Sequence, residues 1–496
     1  MKKFKLLLAA FVATLFAFAG VKASAYTITI NGTTSGHTYE AYQVFSGTLA
    51  KSDNQTLSDI DWGSDVNTFE FDGESDAAKI AEKLAKQATD SETAKAFAKA
   101  ANANLKEGSK PASATSEGKT VTITLSKPGY YLVKDKDGSQ NSENGTYTRF
   151  MMQVVGNATA NVKNGVPSVQ KKVKENSNSK WQDAADYDFD DDVPFQLTAT
   201  LPSNFDDYSE YYLEFSDTLS AGLTYNKDAK VFLVNGENKT DITSSFTIAE
   251  DGSSFKINNL KSISGVTASS KIVVEYTAKL GSNAVIGSEG NPNTVKLVYS
   301  NNPNYEGKGE ESPKGNTPEK NVKVFTYQTI INKIDQDGKA LPGAEFTLVK
   351  KNKDGSTKNV DVIKNTEGTS FTFKGLDAGD YVLKETKTPD GYNTIKTINF
   401  TINAKYDTEA DDPQLTELSG GVTANTDSGM IEFNKNITPK EAATSGSLEA
   451  NVENKKGSLL PSTGGMGTTI LYVIGSILVL VAAVLLITKK RMDAAK

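Results

Sequence analysis

The sequence predicts a mainly β protein: immunoglobulin-like β-sandwich domains in tandem, behind an N-terminal domain that mixes helix with sheet. Three observations carry this. From residue 166 to 457 apolar and polar residues alternate at period two in short runs, broken by Gly, Asn, Asp and Ser, as half-buried strands and their turns require. Residues 75–105 instead carry Ala and Lys at helical spacing. A chain of 496 residues also exceeds what one core ordinarily holds, so about two to four domains are expected.

The first domain is expected over residues 26–165. It opens with alternation in Tyr26-Thr27-Ile28-Thr29-Ile30 and continues through Tyr39 to Phe45. A helix follows from the spacing of Ala78, Ile80, Ala81, Leu84 and Ala85, and strands return at Val121–Leu125, Gly129–Val133 and Phe150–Val155. Residues 166–326 read as an immunoglobulin-like sandwich, with the Pro-, Gly- and Asn-rich stretch Asn301–Asn321 as a long surface loop near its end. Residues 327–457 repeat the β pattern, and residues 458–464 form a short flexible exit.

Composition removes several functions. The net charge of −7 is spread along the chain without a long basic patch, so nucleic acid is not an expected partner. There is no cysteine and one histidine, His37, which reads as structural or exposed. Disulfides, thiol chemistry, thiolate zinc sites and His-based triads are therefore excluded, and neither a cofactor nor a metal site is expected. Carboxylate pairs among 61 acidic residues are too common to argue for a glycosidase.

Both ends carry addresses. Residues 1–25 read as a signal peptide: Lys2, Lys3 and Lys5, an apolar run from Leu6 to Ala19, then Ala23-Ser24-Ala25. Residues 468–488 are apolar and uncharged, long enough to span about 30 Å of hydrocarbon, and the basic tail 489–496 begins with Lys489-Lys490-Arg491. Everything between lies outside the cell. Immediately before the span stands Leu460-Pro461-Ser462-Thr463-Gly464, which looks like the sortase sorting signal. Pro461 kinks an extended segment, and Gly464 leaves the Thr463 carbonyl open to a transpeptidase cysteine. Cleavage after Thr463 gives a thioester that an amine then resolves. A secreted chain with no disulfide must find another way to survive there.

Strand periodicity also puts polar groups where a core should be. Lys171 shares a face with Val169 and Val173, Asp217 with Leu213, Phe215 and Leu219, and Asn293 with Val295, Leu297 and Tyr299. The third domain repeats the set: Lys333 beside Ile331, Glu385 beside Tyr381 and Leu383, and Asn454 beside Leu448, Ala450 and Val452. Lone buried charges cost several kcal/mol unless paired or neutralised. A desolvated lysine becomes a nucleophilic amine, and a desolvated carboxylic acid can donate to a carbonyl. Beside an asparagine amide the pair can form a Lys–Asn isopeptide bond and expel ammonia, with the core supplying effective molarity. By alternation alone, each lysine reads equally as half of a buried salt bridge or as a stem reaching toward water.

Pro167-Ser168-Val169-Gln170-Lys171-Lys172-Val173, Phe215-Ser216-Asp217-Thr218-Leu219 and Gly290-Asn291-Pro292-Asn293-Thr294-Val295 together resemble the isopeptide-forming middle domain of Gram-positive fimbrial shaft proteins. Ile331-Asn332-Lys333-Ile334-Asp335 with Leu341-Pro342-Gly343-Ala344-Glu345-Phe346 is similar to the collagen-adhesin B-type (CnaB) domain. Tyr381-Val382-Leu383-Lys384-Glu385-Thr386 with Pro389-Asp390-Gly391-Tyr392 matches that family's E-box, and Val452-Glu453-Asn454 its last strand. The resemblance implies tandem CnaA/CnaB-type sandwiches, with Lys171 joined to Asn293 with the help of Asp217, and Lys333 to Asn454 with the help of Glu385. Shaft pilins usually carry a Tyr-Pro-Lys-like motif at the end of the first domain. Here Asn161-Val162-Lys163-Asn164-Gly165 stands in its place, which makes Lys163 the expected intermolecular amine and Lys172 the next candidate.

The implied function is a structural one: a covalently polymerised shaft subunit, Thr463 of one copy joined to Lys163 of the next, supporting adhesion. The expected partners are pilin-type and housekeeping sortases, identical subunits, ancillary pilins, peptidoglycan and a host surface ligand. The expected location is the cell wall and a surface pilus, after a transient membrane anchor. The alternative is a wall-anchored monomeric adhesin whose first domain binds a host ligand. No enzyme activity is expected beyond self-catalysed cross-linking.

Overall fold

The computed structural model describes residues 26–51, 55–88, 91–140, 145–162, 165–424, 433–434, 437–457 and 466–493. The expected signal peptide, Lys163, the sorting motif Leu460–Gly464 and the last residues of the basic tail lie outside them. The fold is mainly β, as the period-two runs require.

In the N-terminal region, Tyr26–Asn31 pairs antiparallel with Thr120–Leu125 and parallel with Asn157–Asn161. A second sheet is built on Thr38–Leu49 and Gly129–Asp135 and bordered by Leu57–Trp62 and Arg149–Val154. The Ala- and Lys-rich stretch forms two helices, Ala77–Ala85 over the expected helical spacing and Glu92–Ala103 after it. Each has its own start: Asp76 accepts from Lys79 N at 3.0 Å and Ser91 from Ala94 N at 3.2 Å, satisfying otherwise orphaned amides. Their apolar faces, Ile80 and Ala81 with Phe97, Ala98 and Ala101, close over Phe45.

The middle region is a sandwich of two seven-stranded sheets. One contains Ser168–Lys174, Asp192–Thr200 and Lys271–Leu280; the other contains Lys320–Phe325, Asn291–Ser300 and Leu213–Leu219. One continuous apolar core fills the space between them. The stretch read as a surface loop, Asn301–Asn321, departs from that expectation. It contains the short strand Lys314–Asn316, and Asn301, Ser312 and Thr317 are buried. Asn301 O accepts from Tyr147 N at 2.8 Å, and its amide donates to Gln140 O at 2.9 Å. Turn-rich composition therefore serves here as the seat for the N-terminal domain.

The third region packs a four-stranded sheet on a five-stranded one. Its first strand, Tyr327–Asp335, and its last, Ser447–Asn454, are parallel neighbours with Lys333 opposite Val452 and Asp335 opposite Asn454. Against the middle sandwich it makes a joint of unusual polarity. Phe189 lies flat on Gly375, whose φ of +74° and lack of Cβ both favour glycine. Beside it Glu175, Asp186, Asp188, Asp377 and Lys350 are buried together, and the half-buried Tyr406 donates to Glu175. Beyond residue 465, Met466–Asp493 is one 28-residue helix whose apolar side chains from Leu471 to Ile487 are exposed, long and apolar enough to cross a membrane.

Candidate functional site

All six residues singled out by periodicity are buried, in two separate cores. In the middle sandwich Lys171 comes from one sheet, and Asp217 and Asn293 come from adjacent antiparallel strands of the other, with Leu219 opposite Asn293. The Lys171 ammonium touches both the Asp217 carboxylate and Asn293 Oδ1. Both the Lys171 and Asp217 side chains are 0% exposed. The Phe195 and Tyr276 rings lie 5.8 and 5.9 Å from Nζ and keep water away. Burial pushes the Lys171 pKa down to about 8, with the Asp217 charge pulling the other way. An amine with that pKa is partly neutral near physiological pH, which an attacking nucleophile must be.

Tyr276 belongs to this site and was not anticipated. Its hydroxyl accepts from Asn293 Nδ2 at 2.7 Å and donates to Asp217 Oδ2. The amide is therefore held by Tyr276 on its nitrogen and by Lys171 on its oxygen, while the carboxyl sits between amine and hydroxyl. Such an arrangement can pass the proton lost by the amine to the carboxyl and on to departing ammonia. The signal was present in Ile272, Val274, Tyr276 and Ala278, all inward by alternation, but an inward tyrosine reads first as packing.

The third-domain set is assembled differently. Asn454 Nδ2 donates to Glu385 Oε2 at 3.2 Å and to Asn393 O at 2.9 Å. Glu385 Oε2 also accepts from Thr388 Oγ1 at 3.2 Å and Ile395 N at 3.1 Å. Lys333 does not touch either partner: its Nζ donates to Val452 O at 2.8 Å and Ile334 O at 3.0 Å. The parallel register explains this, because Lys333 faces Val452 and stands two residues short of Asn454 along the strand. Glu385 Oε1 and Asn454 Oδ1 are buried with no hydrogen-bond partner, two acceptors that a carboxyl proton or an arriving amine would satisfy. Burial pushes the Lys333 pKa down to about 8, opposed foremost by the Glu385 charge.

The alternative intermolecular amine, Lys172, is half-buried and paired with Asp183 at 2.8 Å, which ties it into the middle sandwich. Carboxylate oxygens of Asp188, Asp191 and Asp377 converge at the joint. The Lys350 ammonium bonds Asp188 at 2.7 Å and also Asp377, supplying there the positive charge that a cation would bring. His37 is buried, and burial lowers its pKa.

Three family models match separate parts of the chain. Residues 189–303 match the Cna-B-like domain of Gram-positive pilin backbone subunit 2, and residues 328–414 match the SpaA prealbumin-like fold domain. Residues 452–493 match the LPXTG cell wall anchor motif. The trypsin-resistant surface T6 protein of Streptococcus pyogenes serotype M6 is 27% identical over 386 residues, covering 67% of this chain and 70% of that one. The solved structure of the T6 backbone pilin, described as modular and three-domain, superposes with a TM-score of 0.54 at 19% identity, covering 88% of this chain and all of that one.

Proposed function

We infer that this chain, a Gram-positive backbone pilin by its domains and its LPXTG anchor, is the repeating shaft subunit of a cell-wall-anchored surface pilus. A sortase cuts after Thr463 and passes that carbonyl to an amine of the next subunit. Lys163 is that amine: it follows the last strand of the N-terminal sheet, Asn157–Asn161, at the start of the link to the middle sandwich. The nearest competitor, Lys172, is held by Asp183. Identical subunits, a pilin-type sortase, a housekeeping sortase, ancillary pilins and peptidoglycan are the partners this assembly needs.

Within each subunit, Lys171 attacks the Asn293 carboxamide and Lys333 that of Asn454. In each case the new C–N bond replaces the bond to the amide nitrogen, which leaves as ammonia. Asp217 and Glu385 carry the proton from amine to leaving group, and Tyr276 orients the Asn293 amide. The single observation that carries this reading is Lys171, desolvated and wedged between an acid and an asparagine oxygen in a core otherwise apolar.

The cross-links suit a shaft because of where they sit. Each joins an early strand of its sandwich to a late one, so tension along the fibre enters at the lysine and leaves at the asparagine. The segments 172–292 and 334–453 then carry none of it. The direct experiment is intact mass of the folded chain, which should fall short of the sequence mass by two ammonias. An undiminished mass removes the cross-links. A wall-attached monomer with no ladder of covalent multimers would favour the monomeric adhesin instead.

A further inference from the structure

The acid and the amide of the third domain are held by a single loop. It joins the strands Gly379–Lys387 and Ile398–Tyr406, whose ladder ends at Leu383 opposite Ile398, so Glu385 stands just past the last paired residue. The loop turns at Pro389-Asp390-Gly391-Tyr392: Tyr392 N donates to Pro389 O at 3.2 Å, and Gly391 takes the φ of +85° that glycine favours at the third position of such a turn. Past the turn the loop is pinned to the end of the last strand. Asn393 N donates to Lys455 O at 3.0 Å, and Tyr392 bridges to Lys456, which fixes the loop next to Asn454.

The hydrogen bonds made there distinguish the two oxygens of Glu385. Oε2 accepts three hydrogens, from Thr388 Oγ1, Ile395 N and Asn454 Nδ2, whereas Oε1 has no partner. The proton of a neutral Glu385 therefore falls on Oε1. Asn454 spends both amide hydrogens, one on Glu385 Oε2 and one on Asn393 O, which leaves its Oδ1 free. Thr388 has one hydroxyl hydrogen and gives it to Glu385, so the exposed Thr394 hydroxyl, 2.7 Å away, donates to Thr388 and strengthens its bond to the acid. We propose that Thr388 is the positioning residue of third-domain cross-linking, its hydroxyl holding Glu385 with Oε2 as the acceptor and Oε1 as the proton-bearing oxygen. When the Lys333 amine attacks Asn454 Cγ, the Nζ–Cγ bond forms and the Cγ–Nδ2 bond breaks. One Nζ hydrogen passes through Glu385 to Nδ2, which leaves as ammonia. A carboxyl free to turn about its Cγ–Cδ bond would offer either oxygen to either task, and fewer encounters would be productive.

This assignment rests on the Lys333–Asn454 cross-link proposed above and extends it to a side chain that touches neither bonding atom. The test is a time course of cell-free synthesis of the full chain in detergent micelles, quenched in acid and digested. Mass spectrometry then counts the linked peptides of both sites, so the Lys171–Asn293 bond serves as a clock within the same molecules. Thr388→Val keeps the shape of the side chain and removes its hydroxyl; it should slow the Lys333–Asn454 bond about tenfold or more and leave the clock unchanged, because a hydrogen bond to the acid is lost. Thr388→Ser keeps the hydroxyl and removes the methyl, and should form the bond within about twofold of the native rate. A native rate in Thr388→Val would overturn the proposal. So would a Thr388→Ser chain as slow as Thr388→Val, since packing and not the hydroxyl would then be responsible. A native chain that never forms the Lys333–Asn454 peptide would overturn the cross-link itself, and this assignment with it.

Discussion

Replacing Asp217 with alanine should release a length of chain that tension cannot reach in the native protein. Lys171 and Asn293, in contact across 122 residues of sequence, would close the intervening segment into a ring once the proposed bond between them forms. At up to ~3.5 Å per extended residue, that ring hides roughly 400 Å of contour. Without the acid, proton transfer from Lys171 to the leaving group fails and the ring stays open. Single-molecule pulling from the N-terminal to the C-terminal end should then show one added unfolding step of about that length, which the native chain lacks. Intact mass of the variant should rise by one ammonia relative to the native mass, after allowance for the substitution. Closing a ring this long restricts the unfolded chain by about 5 kcal/mol if disulfide behaviour transfers. For a domain of this size that corresponds to about 10–20 °C in Tm. Asp217→Ala also strands the Lys171 charge in the core, which costs stability on its own account. The double replacement Lys171→Met with Asp217→Leu removes that charge and isolates the ring. If native protein already extends by the full contour, or if Asp217→Ala keeps the native mass deficit, the account of this site is wrong.

Three further outcomes follow from the same geometry. Tyr276→Phe should slow formation of the Lys171–Asn293 bond by about tenfold or more while still allowing it, because the amide loses its orienting hydroxyl but keeps acid and amine; a time course of mass loss after refolding measures this, and an unchanged rate removes Tyr276 from the reaction. Glu385→Ala should restore the second ammonia and leave the first lost, since the two sites occupy separate cores; restoration of both would mean that the domains are chemically coupled. The joint between the middle and third domains should weaken as pH rises. Asp186 and Asp377 have pKa values raised by burial first, and then by the charges of Asp377 and Glu175 on Asp186 and of Asp188 on Asp377. Folded protein therefore holds protons that the unfolded chain releases, so this contribution is most favourable in acid and is lost progressively above the ordinary carboxylate range. Lys350, Tyr327, Tyr381 and Tyr406 face the same cluster, and the Lys350 pKa is raised, so its own stabilising charge persists through this window. Thermal unfolding of Asp186→Asn should be flatter with pH than that of the native chain; a parallel dependence would exclude the joint as its source.

The two triads were legible because strand geometry is binary: a residue two positions from a core valine faces the core too. That rule placed Lys171, Asp217, Asn293, Lys333, Glu385 and Asn454 inside, where the structure has them. It could not say how the amines would be oriented. Lys333 bonds main-chain carbonyls because of a register between parallel strands more than a hundred residues apart in sequence, which no local pattern encodes. The acidic joint was invisible for the same reason, since Lys350 meets Asp188 across 162 residues. Asn301–Asn321 was misread because Gly, Pro and Asn report turns and not exposure; the turns here are buried against a neighbouring domain. The helical spacing from Ala78 to Ala85 marks the first helix, whereas the second begins at the Ser91 cap inside a composition that stays Ala- and Lys-rich and gives no boundary of its own.

The most direct measurement of the central claim is mass spectrometry of protease digests from pili sheared off cells that make this protein. A branched peptide is expected in which the Thr463 carbonyl is joined to the Lys163 amine, and Lys163→Ala should lose it, with collapse of the covalent ladder to monomer. A ladder that persists in Lys163→Ala would contradict the choice of lysine. Thr463 found only on peptidoglycan, with no subunit-to-subunit branch, would contradict the shaft itself.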